Sequence, residues 1–176
     1  MIDQGGEPIT AGEYTGIGRV TEFKYCFGVG ENINSLRHLE TIGSTWGYIS
    51  PMSALTFTNN HDNQRGHGGG GHVVTFHNPW ELKLATAFMM AHDYGEPRVM
   101  SSYEFNDSEQ GPPGSQPNAF PASCGNGWVC EHRWSAIANL AMFRGSVHGT
   151  NVQKWTNGPN NQIAFSRGNK KKWTKF

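Results

Sequence analysis

Apolar stretches of two different periods alternate along this chain, and the order of alternation restricts the folds open to it. β-Branched and aromatic alternation predicts strands over Arg19 to Tyr25, Ala54 to Thr58 and Arg98 to Ser102. Each is followed by a helical pattern. The first spans Asn32 to Leu39, with Ile33, Leu36 and Leu39 on one face. The second has clear ends: Asn78 as N-cap, Pro79 in the first helical position, Glu81 beside the positive end of the dipole and Gly95 as the stop. Its stripe of Leu84, Ala87, Phe88 and Ala91 is joined by Leu82, Ala85 and Met89, which predicts burial on more than one side. The third runs from Glu131 to Arg144, with Trp134, Ile137, Ala138 and Ala141 at helical spacing and Gly145 as its stop. A βαβαβα order in units of about 35–45 residues implies parallel strands with helical crossovers, in a doubly wound sheet or a (β/α)8 barrel. Beyond Gly145, Asn151 to Trp155 and Gln162 to Ser166 read as short strands divided by Asn157-Gly158-Pro159-Asn160. They suggest the start of an all-β unit with too few strands to close.

Composition narrows the classes. Among 176 residues 36% are apolar and the mean hydropathy is −0.58, so no run approaches the roughly 20 apolar residues of a membrane span. The 23 Gly and 9 Pro outnumber the 28 charged residues, as in a loop-rich globular protein rather than a helical bundle. The formal charge of zero conceals an uneven distribution. All 14 acids lie before Arg167, whereas Arg167, Lys170, Lys171, Lys172 and Lys175 give the last ten residues five bases. That tail is read as solvated, or as not native coding sequence, rather than as a grip for nucleic acid or a membrane. The opening Met1-Ile2-Asp3-Gln4-Gly5-Gly6 lacks the basic and apolar regions of a signal peptide. Of three cysteines, Cys124 and Cys130 flank a flexible Gly125-Asn126-Gly127-Trp128 turn that could bring them within bridging range. A bridge there implies an oxidising compartment. Cys26 is left as a buried thiol or as one that has lost its partner.

The densest chemistry follows the second strand. From Thr56 to His67 an apolar strand end runs into two amides, an imidazole, a carboxylate and a guanidinium: Asn59, Asn60, His61, Asp62, Arg65. At the C-terminal end of a parallel strand such groups face the mouth of the sheet, where a carboxylate stabilises positive charge and amides or imidazole grip hydroxyls. The simpler alternative is that Asn59 and Asp62 only cap a turn. Gly68 to Gly71 lack the Lys-Ser/Thr of a phosphate loop and read as a mobile flap or a flexible linker. His61, His67, His72, His77 and His132, with Cys124 and Cys130, raise a zinc hypothesis, but their spacing matches half of a structural site only. Trp128 and Trp134 read as packing residues. Arg98, opening a strand, is expected to be buried and so to need an anionic partner.

The run from Phe57 to Gly71, the strand Arg98 to Tyr103 and the block from Cys124 to Trp134, in this order, closely resemble the chloride-dependent animal members of the alpha-amylase glycoside hydrolase family. The opening Ile2 to Pro8 is similar to the stretch just after that family's fifth barrel strand, and the resemblance covers residues 2–169. It implies an α/β fold: a partial (β/α)8 TIM barrel from strand six to helix eight over residues 1–145, then the truncated start of a C-terminal β-sandwich over 146–176. The implied activity is retaining endo-hydrolysis of α-1,4-glucosidic bonds in starch, glycogen and malto-oligosaccharides by a secreted, monomeric enzyme, with no nucleic-acid or membrane partner. Asp62 matches the transition-state-stabilising acid, His61 and His67 match sugar-binding imidazoles, and Glu7 matches an acid of the subsites beyond the scissile bond. Asn60 and Arg98 match two of three chloride ligands. By the same resemblance the nucleophilic Asp, the acid/base Glu, the third chloride ligand and the calcium ligands lie upstream, and Lys170 to Phe176 departs from the family's pattern.

The chain is therefore expected to be a C-terminal-side piece of an alpha-amylase. The alternatives are a non-catalytic malto-oligosaccharide-binding remnant and, third, a zinc-binding module. Retaining hydrolysis needs two carboxyl groups about 5–5.5 Å apart, so the isolated 176-residue chain is expected to release no reducing ends from starch. Measurable cleavage by the purified chain would refute this.

Overall fold

A computed structural model of the chain describes residues 6, 8–43, 45–68, 71–114 and 124–168, and the backbone of 172–175. It is mixed α/β, with two three-stranded sheets. In the first sheet β1 (Val20–Thr21), β2 (Ala54–Thr56) and β3 (Glu96–Pro97) lie in the order β1-β2-β3. Both pairs are parallel, with Val20 opposite Ala54 and Leu55 opposite Glu96. The parallel pairing follows from the spacing of the strands, since each is separated from the next by a crossover long enough to return the chain.

The strands are shorter than their sequence patterns. β1 ends at Thr21 because the next residue, Glu22, caps helix α1 (Phe23–Glu31). The Glu22 carboxylate accepts the Lys24 N–H at 3.2 Å, and its other oxygen accepts the Ile49 N–H at 2.9 Å. This cap converts Phe23, Tyr25 and Cys26 from a strand alternation into a buried helix face. Asn32 to Leu39, expected as an α-helix, divides into a turn and a 3-10 helix, Leu36–Thr41. Ile33, Leu36 and Leu39 are all buried, and a spacing of three is the repeat that a 3-10 helix aligns.

Helix α2 (Pro79–Ala91) follows its N-terminal signals closely but ends at Ala91, before the Gly95 expected to stop it. The Asn78 side chain accepts the Glu81 N–H, and eight residues from Leu82 to Ala91 are buried, on several sides of the helix. Arg98 to Ser102, expected as a strand, leaves the sheet after one further bond, from the Arg98 N–H to Thr56 O at 2.7 Å. Its next partners lie in the disulfide block: Ser102 O accepts the Val129 N–H at 2.9 Å, and the Ser102 N–H reaches the buried Glu131 carboxylate at 2.7 Å. The third helix also starts late. Glu131–Arg133 is a 3-10 turn, and α3 runs Ser135–Ser146 with Gly145 inside it rather than stopping it.

The second sheet is antiparallel, with β4 (Val152–Asn157), β5 (Ile163–Arg167) and β6 (Lys172–Lys175) in sequence order. It shares the first sheet's core. Phe165 of β5 meets Phe88 of α2 edge-on at 6.2 Å and stacks on Trp155 at 5.3 Å. Tyr25, Val29, Leu36, Leu82, Phe88, Met89, Ile163 and Phe165 form one buried cluster; each such large side chain contributes about 1.5–3 kcal/mol on burial.

His92, just past α2, is buried in this cluster, 5.1 Å from the Phe88 ring and 5.9 Å from that of Phe165. Its Nδ1 accepts the Tyr94 N–H at 3.2 Å. The 3.3 Å approach of the same nitrogen to Asp93 is therefore no ion pair with a neutral ring. Burial pushes the imidazole down to about 4; Arg167 and Arg144 act in the same direction, against Asp93. An unfolded chain takes up this proton near pH 6.5. Stability from keeping His92 neutral is thus complete above about pH 6.5 and is lost as pH falls toward 4. Urea midpoints of the wild type should drop over that window more steeply than those of His92→Gln; parallel pH profiles would contradict the assignment.

Candidate active-site loop

The sequence from Phe57 to His67 leaves the C-terminal end of β2 and folds back through a 3-10 turn, Asn63–Arg65. Amide side chains shape it. Asn60 Oδ1 accepts the N–H groups of Asp62 at 2.9 Å and Asn63 at 2.8 Å, while Asn63 Oδ1 accepts the Asn60 N–H at 2.7 Å. The capping residues are thus Asn60 and Asn63, not Asn59 and Asp62 as the turn alternative had it, and Asp62 makes no side-chain cap bond. Asn63 is also buried, and its Nδ2 donates to Cys26 Sγ at 3.5 Å. Cys26 in turn donates to Phe23 O at 3.1 Å. Burial pushes its thiol up to about 12, so it stays protonated and packs as a small apolar group.

This scaffold leaves the chemical groups outward. His61 and Asp62 are side by side, Nε2 to Oδ1 3.4 Å, with 79% and 51% of their side chains exposed. His67 lies at the far end of the turn, its N–H bonded to Asp62 O at 3.1 Å and its Nε2 3.2 Å from Glu109. His61, Asp62 and His67 thus belong to one turn at the mouth of the parallel sheet. Glu7 lies outside the described residues, as do Gly69 and Gly70 of the expected flap. Cys124 and Cys130 form the expected disulfide. Arg98 differs from expectation: its side chain is exposed, because the chain leaves the sheet at this residue and no further described strand covers it.

The loop is held from one side by contacts of Arg65 that the sequence did not indicate. Arg65 lies over the rings of Tyr103 and Phe105, at 4.5 and 4.3 Å from their centroids. Its Nη1 donates to Ser108 O and Gln110 O, both at 2.9 Å. Tyr103 O–H also donates to Gln110 O at 2.8 Å, and Tyr103 packs edge-on against Trp128 of the disulfide turn at 5.5 Å. The clue in sequence was the Tyr-x-Phe pair downstream of Arg98, but nothing local joins it to Arg65. Among the described residues no group of three or more His, Cys, Asp or Glu is placed to hold a metal ion. His67 faces Glu109, His72 is 3.0 Å from Glu81, and the two cysteines are oxidised to the disulfide.

The chain as a whole is similar to known proteins. The chain is 50% identical over 181 residues to an alpha-amylase of Pecten maximus and 45% identical over 192 residues to one of Oryzias latipes, in each case over 97% of its own length. Across that length the chain is a member of the animal alpha-amylase lineage. Among solved structures it superposes on alpha-amylase I of Eisenia fetida with a TM-score of 0.85 at 41% identity, covering 96% of this chain and 38% of that one. A mutant of the same Eisenia enzyme, solved in complex with maltohexaose, matches with a TM-score of 0.84. No protein-family model matches. The chain spans just over a third of its alpha-amylase relatives, 36% and 38% of the two sequences.

Within this alpha-amylase relative, Arg65 is the joint between the His61–His67 turn and the 103–110 segment. Arg65→Met keeps the stem but loses the cation–π contacts and two hydrogen bonds, together about 1–3 kcal/mol. Amides from 106 to 110 should exchange roughly 5- to 100-fold faster by the same energies, with little change at buried α2. Unchanged exchange across 106–110 would show that the joint lies elsewhere.

Proposed function

We propose that the chain forms part of an alpha-amylase that hydrolyses α-1,4-glucosidic bonds in starch, glycogen and malto-oligosaccharides with retention. Residues 1–145 would supply strand six to helix eight of the (β/α)8 barrel and residues 146–176 the start of the C-terminal β-domain. The observation that carries this reading is the outward-facing His61–Asp62 pair at the end of a parallel strand, in a chain homologous to alpha-amylases throughout. The complex of the Eisenia enzyme with maltohexaose supports the substrate class.

In this reading Asp62 carries its exposed carboxylate beside the sugar being cleaved. It orients hydroxyls there and stabilises the positive charge that develops at the anomeric carbon. His61 and His67 bind sugar hydroxyls on either side, and Glu7 serves the leaving-group side. The nucleophilic Asp and the acid/base Glu are assigned to the part of the enzyme that this chain does not span.

A chloride ion suits the donor set after β2. Asn60 has committed its amide oxygen to two backbone N–H groups, which leaves its NH2 for an anion, and Arg98 is exposed with a charge that enters no ion pair among the described residues. Asn59 Nδ2, of the residue before Asn60, is buried without a hydrogen-bond partner among the described residues. Asn60 and Arg98 would hold the chloride, whose negative charge raises the pKa of a nearby acid. Calcium does not fit any described cluster and is assigned with the upstream ligands. The Cys124–Cys130 bridge suits an oxidising, extracellular setting, and a monomer is proposed.

Residues 1–176 should restore starch hydrolysis when they replace the matching segment of the Eisenia enzyme. Asp62→Asn in that chimera should lower kcat by roughly 10²–10³-fold, the usual cost of losing a preorganised electrostatic contact. A folded chimera without activity, or one indifferent to Asp62→Asn, would overturn the reading. Binding of maltohexaose without turnover in the folded chimera would favour the binding-remnant alternative.

A further inference from the structure

Asn106-Asp107-Ser108 is the chain's one Asn-x-Ser/Thr triplet, with no proline in its middle or next position. In a chain that passes through a secretory compartment this pattern accepts an N-linked oligosaccharide. The side-chain amide takes the sugar, and the hydroxyl two residues on is what the transferring enzyme reads. A triplet is a short match, so its place in the fold decides what it can carry.

All three residues are exposed, in the segment that leaves Tyr103 beside the 57–67 loop. The contacts that hold this segment avoid the acceptor. Arg65 donates to the backbone oxygens of Ser108 and Gln110, and Tyr103 O–H donates to that of Gln110. The Gln110 side chain closes the bend, donating to Glu104 O at 3.2 Å and accepting the Asn106 N–H at 3.0 Å. Asp107 Oδ1 accepts the Glu109 N–H at 2.8 Å, an Asx turn. The Asn106 side-chain amide enters no hydrogen bond among the described residues. Asn60, Asn63 and Asn161 differ in this respect: their side chains bond to backbone groups, and loading them would loosen a turn. A bulky, hydrated group on Asn106 breaks none of these contacts.

The compartment is indicated separately. The Cys124–Cys130 bridge lies beside the same segment, with the Glu104 N–H donating to Gly127 O at 2.7 Å and Trp128 packed on Tyr103. Disulfides persist in the oxidising lumen through which secreted chains pass, where N-linked sugars are also added. We propose that Asn106 is a site of N-linked glycosylation. The oligosaccharide would stand on the bend that carries Glu109, whose carboxylate is 3.2 Å from His67. In the transfer, the Asn106 amide nitrogen forms a C–N bond to the anomeric carbon of an oligosaccharide supplied on a lipid diphosphate. The sugar–diphosphate C–O bond breaks, the amide gives up one proton and the lipid diphosphate leaves. The proposal rests on the extracellular setting in the proposed function and is independent of the chemistry assigned to Asp62.

The full chain, produced in cultured animal cells behind a cleavable secretory signal, tests it by electrophoresis and peptide mass before and after peptide N-glycosidase. The wild type should lose the mass of one oligosaccharide on treatment, with Asn106 converted to Asp in its peptide. Asn106→Gln and Ser108→Ala should each abolish that shift, whereas Ser108→Thr should retain it. The acceptor is modified before the chain folds, so the readout does not depend on the stability of a variant, and both losses leave the carbonyls that Arg65 binds. A wild-type chain with the signal removed and the Cys124–Cys130 bridge formed, but with no shift, overturns the site. A shift that survives Asn106→Gln overturns it as well. An unmodified chain alongside an active chimera removes the site alone, and a modified Asn106 alongside a folded, inactive chimera removes the proposed function and leaves the site.

Discussion

Helix α2 ends in the protein interior, and everything around it depends on how its last carbonyls are satisfied. The final four C=O groups of any helix lack partners within it, and here they face the core. Two guanidinium groups answer them. Arg144 of α3 donates to Met89 O and Met90 O at 3.3 Å, to His92 O at 2.6 Å and to Gly95 O. Arg167 of β5 donates to Ala91 O at 2.6 Å and, through Nε and Nη2, to Thr150 O. Burial lowers the pKa of both from the ordinary arginine value, a cost offset by the number of carbonyls each one satisfies. In this way one helix end fixes α3, the second sheet and the turn into β3 together.

That anchoring determines how stable the platform behind the loop is. Thr58, at the start of the loop, shares a hydrogen bond with Thr86 of α2 at 3.2 Å, and both are buried. In front of this platform the loop is cross-linked by its own amides and by Arg65, while His61 and Asp62 are left exposed. Rigid elements carrying an outward polar loop are the usual division between scaffold and site. The disulfide block completes the arrangement from the other side, since Trp128 packs on Tyr103, and Tyr103 on Arg65.

The parts of the fold legible in the sequence were those with local causes. Asn78-Pro79-x-Glu81 marks the start of α2 because a cap bond and a dipole act within one turn. The short glycine-rich separation of Cys124 and Cys130 permits the bridge that the structure shows. Residues 19–25 and 32–39 were misread because their apolar spacing suits more than one element. What decided them was Glu22, whose carboxylate is recruited by Ile49 from across the fold, and the three-residue repeat that the core imposes on Ile33, Leu36 and Leu39. Arg98 was expected to be buried on the premise that its strand continues, yet the chain turns there to meet the disulfide block. In the loop, His61, Asp62 and His67 could be picked out by type and position, whereas Arg65 with Tyr103 and Phe105 could not.

By itself, then, the sequence determined the order of the elements, the parallel sense of the first sheet and the concentration of polar groups after β2. Each rests on spacing or on contacts a few residues long, which a linear pattern records. Only the tertiary structure decided where strands stop, which amides shape the loop and what holds Arg65. Those outcomes depend on hydrogen bonds and packing between residues far apart in the chain, such as Asn161 with Leu36 and Arg167 with Ala91. Such partners are chosen by the competition to satisfy buried polar groups, and no local pattern encodes that competition.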